Sequence, residues 1–280
     1  MNTYARAVRA GRSRGLIELR QSVTNPGDLV SHLLWPALML AALFFLRDRS
    51  FAGQPLGPLV LPSILGMNAA MAMMSMSQHL TADREDGTLL RARATPHGVL
   101  GYLTGKLIAV SGGLMLDLAI FFVPAVLLVD GLELSRPATW WTLAGVLLLG
   151  LLATLPAGAV LGSVFTSARS QGLLTLPVLA VIGISGVFYP LAALPGWLQG
   201  VAQAFPVYWM GLGMRSALLP PSAAAVEIGG SWRHLETVGV LGAWAVAGLL
   251  IAPFVLRRMA RRESGSAVAG RRDRALQRAA

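Results

Sequence analysis

The chain has 280 residues, 55% of them hydrophobic and only 13% charged. A soluble domain usually carries about twice that charge, and apolar surface this abundant needs lipid as well as a core to cover it. The net charge is +10, from 22 arginines and one lysine, Lys106, and the absence of cysteine excludes disulfides and thiolate metal sites.

Residues 4–23 are expected to form a helix lying on the membrane. Arg6, Arg9, Arg12, Arg14 and Arg20 give it a basic surface, while Val8, Leu16, Leu19 and Val23 can face the acyl boundary. Gly11 and Gly15 weaken that helix. Glu18 and Arg20 interrupt its apolar stretch, so it does not resemble the core of a cleavable signal. Asn25-Pro26-Gly27-Asp28 reads as a turn.

Six apolar runs follow, at 29–46, 57–80, 107–129, 140–165, 172–189 and 235–256. Each is near the ~20 residues that cross a bilayer as a helix. The expected fold is an all-α polytopic membrane protein with six transmembrane helices. Pro36, Pro62, Pro124, Pro156, Pro177 and Pro253 lie inside the runs, where neighbouring helices can satisfy the freed carbonyls. With the N-terminus inside, the cytoplasmic segments hold 18 of the 23 basic residues, which places both termini in the cytoplasm. Arginines at the ends of apolar runs point to a membrane surface and not to nucleic acid. The organisation is therefore an interfacial segment 1–28, a membrane domain 29–256 and a basic tail 257–280. Trp140, Trp141, Tyr189, Trp197, Tyr208, Trp209 and Trp232 are expected to form an outer aromatic belt.

The cytoplasmic loop 81–97 is richer in signals than a linker. Gly87 can take positive φ and end the preceding helix, and Thr88 can cap a short new one. Leu89 and Leu90 supply apolar knobs, Arg91 and Arg93 supply charge after Arg84, Glu85 and Asp86, and Thr95-Pro96 ends it. A short amphipathic helix of this kind can dock in a partner's groove. On the outside, the segment 190–209 is apolar but broken by Pro190, Pro195 and Pro206. That suits short helices dipping into the membrane edge.

These two pieces carry a resemblance. The inner loop resembles E-R-E-x-G-T-L-E-x-L-x-x-T-P, ending near G-K, through Arg84, Glu85, Gly87, Thr88, Leu89, Thr95, Pro96 and then Gly105-Lys106. Leu90 replaces the usual acid. The outer piece resembles S-G-x-F-x-P-x-x-x-L-P-x-W-L followed by P-x-x-Y. Ser185, Gly186, Phe188, Pro190, Leu194, Pro195, Trp197, Leu198 and Pro206 match, with Tyr208 one place early. The chain thus looks like the membrane subunit of a type-2 ABC exporter, in the daunorubicin and multidrug-resistance permease group. The resemblance implies a second permease subunit, identical or not, and two ABC ATPase subunits that bind the ATP and magnesium. It makes 81–97 the coupling loop and assigns Phe188, Tyr189, Pro190, Leu194, Pro195 and Trp197 to an outer gate. The implied location is a bacterial inner membrane.

This chain is not expected to hydrolyse ATP itself. Gly101 to Lys106 has one residue too few between its glycines for a phosphate loop, and Leu107 stands where Ser or Thr is needed. Asp117 sits mid-span, where an acid costs roughly 2.5–3.5 kcal/mol on insertion scales and so should face protein or water. It is a candidate substrate contact, with Asn68 and the methionines Met71 and Met74; bundle hydrogen bonding and packing explain these residues more simply. Two other classes compete. Gly183-Ile184-Ser185-Gly186 resembles an intramembrane serine protease motif, though the last span holds no histidine to act as base. A proton-coupled secondary transporter would use Asp117 as its carrier.

Overall fold

The computed structural model describes residues 3–51, 54–95, 97–164, 168–187 and 189–262. Pro96, Phe188 and the tail from 263 onward, all named above, lie outside the described residues.

Helix α1 (Thr3–Thr24) passes after one residue into α2 (Pro26–Leu46). The expected turn is only this break. Asn25 caps α2, its Oδ1 accepting from the Gly27 N–H at 3.1 Å, and Pro26 takes the first helical position, where its missing N–H costs nothing. Two-residue strands β1 (Ser50–Phe51) and β2 (Gln54–Pro55) pair antiparallel and lead into α3 (Leu56–Glu85). Then come α4 (Thr88–Arg93), α5 (Gly98–Leu128), α6 (Pro137–Val164) and α7 (Ala168–Ile184). The chain ends with α8 (Gly196–Ala204), α9 (Pro206–Leu218) and α10 (His234–Arg262). All six prolines singled out within the apolar runs lie inside helices.

Five of these helices, α2, α3, α5, α6 and α10, are long and apolar enough to cross a membrane. Helix α7 has 17 residues, roughly 26 Å at 1.5 Å per residue against a ~30 Å hydrocarbon core. The predicted fifth run is shortened because the helix stops at Ile184 and Gly186 turns the backbone to φ 63°.

Helix α3 is the buried axis, packed on α5, α6 and α9, while α2 and α10 turn much of their apolar surface outward. Where helices meet, small residues let the backbones touch. A Cβ at Gly66 would lie 2.7 Å from the Gly211 backbone, and one at Gly158 would lie 2.2 Å from the Met73 carbonyl oxygen. Between apolar helices in lipid, such close approach supplies the attraction that the hydrophobic effect does not.

Two sequence expectations change here. Helix α1 is not held by the bilayer surface alone. It lies along α5, with Gly11 against Gly101 and Gly15 against Gly105, so its glycines are the contact and not a weakness. The outer segment also continues past 209 into α9, whose side chains are nearly all buried between α3, α6 and α10. Tyr208 and Trp209 are therefore core residues and not part of a belt, and the Trp209 indole donates to the Gln203 carbonyl at 2.7 Å. Trp140, Trp141 and Trp197 are exposed, as a belt requires.

Candidate functional site

The inner loop is a tight helix–turn–helix. Gly87 adopts φ 75°, ψ 10°, a left-handed conformation that glycine takes without a Cβ penalty. Asp86, and not Thr88, supplies the cap: its Oδ1 accepts from the Thr88 N–H at 2.8 Å. The Thr88 hydroxyl instead accepts from Arg91 Nη2 at 2.8 Å, and Arg91 Nη1 reaches the Asp86 carbonyl at 3.3 Å. Arg84 is buried and donates to the Ser163 carbonyl at 3.3 Å, tying the end of α3 to α6. Leu89 is completely buried within its own chain, so it anchors α4 inward and does not project to a partner. Anchoring of this kind is worth about 1.5–3 kcal/mol. The outward face of the turn carries Glu85, Asp86 and Arg91, with Leu90 partly buried beside them.

Below this turn lies a charged chain that the sequence did not announce. Lys106 Nζ stands 2.9 Å from Glu18 Oε2 and 2.8 Å from Asp83 Oδ2. Arg14 Nε pairs with Glu18 Oε1 at 2.8 Å, and the Tyr102 hydroxyl donates to Asp83 at 2.7 Å. Burial opposes the charge on Glu18. Hydrogen bonds from Lys106 and Arg14 outweigh it and hold the carboxyl below its ordinary range. The only sequence signal was the Gly105-Lys106 pair. The spacing Gly11-x3-Gly15 opposite Gly101-x3-Gly105 would have located the contact.

The four candidate substrate contacts converge. Asn68, Met71, Met74 and Asp117 all line one cavity of about 670 Å³ between α1, α2, α3 and α5. His32 Nδ1 lies 2.5 Å from Asp117 Oδ1, and the Trp35 indole donates to Asn68 Oδ1 at 2.8 Å. Asp86 and Thr88 belong to the same lining, so the Gly87 turn and the cavity share a wall. The volume is within the range of small-molecule sites, and the lining mixes apolar surface with a few convergent polar groups.

At the outer end, Gly183 accepts from the Tyr189 hydroxyl at 2.6 Å, Pro190 starts a short 3-10 turn Leu191–Ala193, and Pro195 precedes α8. Leu194 is half-buried, while Trp197 faces outward. The organiser of this region was missed from sequence. Arg215 and Glu227 form a buried ion pair at 2.7 Å, and Arg215 also donates to Ser63 Oγ at 3.2 Å and to the Gly186 carbonyl at 3.3 Å. One guanidinium thus ties α9 to α3 and to the turn after α7. Ser185 is buried and its hydroxyl is committed to the Val181 carbonyl, which suits a packing residue better than a nucleophile.

Apolar helices long enough to span, a helical turn set against a cavity and buried ion pairs at both ends define a polytopic helical membrane protein. The sequence profile of the ABC-2 type transporter family matches residues 16–219, well over half of the chain. The chain belongs to the ABC-2 type transporter family, as a multi-pass permease subunit. Membrane domains of this family generally work with an ABC ATPase, and membership favours neither the serine protease nor the proton-coupled carrier. No curated protein matches the chain.

Proposed function

We propose that the chain is the permease subunit of an ATP-driven exporter that moves an amphipathic, drug- or lipid-like molecule out of the cytoplasm or inner leaflet. Two ATPase subunits, holding ATP and magnesium, dock beneath α4, and a second permease chain, identical or related, completes the transporter. Six spans, both termini in the cytoplasm and a bacterial inner membrane fit this reading. The single observation that carries it is the shared wall: Asp86 and Thr88 of the coupling turn line the same cavity as Asn68, Met71, Met74 and Asp117. A push on α4 therefore acts directly on the space a substrate would occupy. Tyr189, Pro190, Leu194, Pro195 and Trp197, with Phe188, belong to the exit side in this scheme.

The test uses the outward face of the turn, because a charge at buried Leu89 would probe folding and not docking. A Leu90→Glu variant, which leaves the Arg91 bonds within the turn intact, is expected to keep its thermal stability and lose most copurification with a co-expressed ATPase partner. Retention of both the ATPase and its activity in the purified complex would remove α4 as the docking element.

A further inference from the structure

Charges alternate in sign along the cytoplasmic ends of three helices. Arg14 and Glu18 come from α1, Lys106 from α5 and Asp83 from α3, joined at 2.8, 2.9 and 2.8 Å. Their formal charges cancel. The Lys106 side chain is 7% exposed, Asp83 11% and Glu18 24%. A buried ionic chain is a poor source of stability, because desolvation offsets most of the Coulomb gain and apolar isosteres often do as well. What it does supply is registry. An ammonium held by carboxylates from two different helices fixes three elements at one point, and it does so only while all three keep their places.

Those three elements are the ones a moving α4 must act through. Asp83 lies one helical turn before Asp86, the residue that caps α4. Glu18 lies one turn beyond Gly15, which touches Gly105. Tyr102 adds a second bond from α5 to Asp83. Helix α1 has no bulky buried side chain, since its buried residues are Gly11 and Gly15. Its glycine contact lets it lie close to α5, and Glu18 reaches Asp83 of α3 through the ammonium of Lys106. Leu19, Gln21 and Ser22 of the same helix line the cavity.

We infer that Lys106 is a positioning residue for energy coupling: through Glu18 and Asp83 it makes α1 follow the α3–α4 turn, so that motion of α4 reshapes the α1 wall of the cavity. This rests on the reading of α4 as the docking helix. Without the link, α4 still moves, but α1 stays behind on α5.

The chain has no natural cysteine, so introduced pairs report cleanly. Spin labels go on Ser13 and Ala94, exposed on α1 and after α4, and in a second protein on Ala94 and Ala192, exposed at the outer end. The full chain is reconstituted with its copurified ATPase in nanodiscs, before and after trapping with ATP and vanadate. In the parent, trapping should shift the Ala94–Ala192 distance while Ser13–Ala94 keeps one narrow distribution. In Glu18→Gln/Asp83→Asn/Lys106→Met, which leaves no buried ion of the triad unpaired, the first shift persists and the Ser13–Ala94 distribution widens at least twofold. Glu18→Leu alone takes the α1 carboxylate away from Lys106 and Arg14 while leaving the Lys106–Asp83 pair and should give the same widening, so the test survives a poorly folded triple variant. An unchanged Ser13–Ala94 distribution in either variant, with the Ala94–Ala192 shift retained, overturns the proposal and leaves the docking reading intact. A parent whose Ala94–Ala192 distance ignores trapping overturns the docking reading, and the proposal with it.

Discussion

A single methyl group at Gly11 should loosen the packing of α1 on α5. On helix propensity alone Gly11→Ala would stabilise α1 by about 0.8–1.0 kcal/mol. Its new Cβ, however, would lie 2.2 Å from the Gly101 carbonyl oxygen, where ordinary contact begins at 3.4 Å. Helix α1 must retreat by the difference, about 1.2 Å. It has no sideways escape, because Gly15 meets Gly105 and Leu19 meets Gly112 along the same line. Overpacking of this kind costs about 1–3 kcal/mol. The retreat also stretches the 2.9 Å contact between Lys106 and Glu18 beyond bonding range, a further loss of about 1.5–3 kcal/mol for a charged hydrogen bond. After the propensity gain is subtracted, the net loss is roughly 1.5–5 kcal/mol, or a melting temperature lower by roughly 3–20 °C for a chain of this size. The assay is a melting curve in detergent at fixed scan rate, since membrane proteins commonly unfold irreversibly. Gly145→Ala is the control. A Cβ there meets nothing within 4 Å inside α6, so it should be neutral or stabilising by about 0.5–1 kcal/mol. If Gly11→Ala melts with or above the control, the glycine contact does not hold α1.

The outer ion pair should respond as a buried pair does. Arg215→Leu leaves Glu227, whose side chain is 3% exposed, without its cation and should cost about 3–5 kcal/mol, while Arg215→Leu/Glu227→Leu recovers most of it; equal melting of the single and double variants would show the pair to be uncoupled. Acid should act on α1 through Glu18. Because its folded pKa lies below the ordinary 4.5, its contribution is complete above that value and is lost as pH falls through the lowered one. The stability gap between the parent and Glu18→Gln should therefore be constant at neutral pH and close only in strong acid; a gap that closes on raising the pH would contradict the assignment.

The apolar runs and the arginines at their ends were legible because lipid selects on composition over ~20 residues, a property of one segment at a time. So was the inner turn: Gly87 needs positive φ wherever its neighbours lie. The helix cap was misjudged because Asp86 and Thr88 can both cap, and only the path of the chain chooses between them. Residues 206–209 read as an edge segment because Pro206, Tyr208 and Trp209 look interfacial in isolation. Arg215 can be buried only because Glu227 is buried with it, and Ser63, which it also reaches, lies 152 residues away in sequence. Asn68, Met71, Met74 and Asp117 were separate polar or soft residues on two runs, each with a plain packing explanation, until the crossing of α3 and α5 set them around one cavity.

The sequence by itself determined that this chain lives in a membrane and where its backbone must turn. These follow from local energies: transfer of side chains into lipid and the torsional freedom of glycine. Only the tertiary structure decided that Gly11 and Gly15 are a contact, and that Lys106 joins Glu18, 88 residues distant, to Asp83 beneath the α4 turn. Packing and ion pairing depend on distances between helices, and no single segment carries that information.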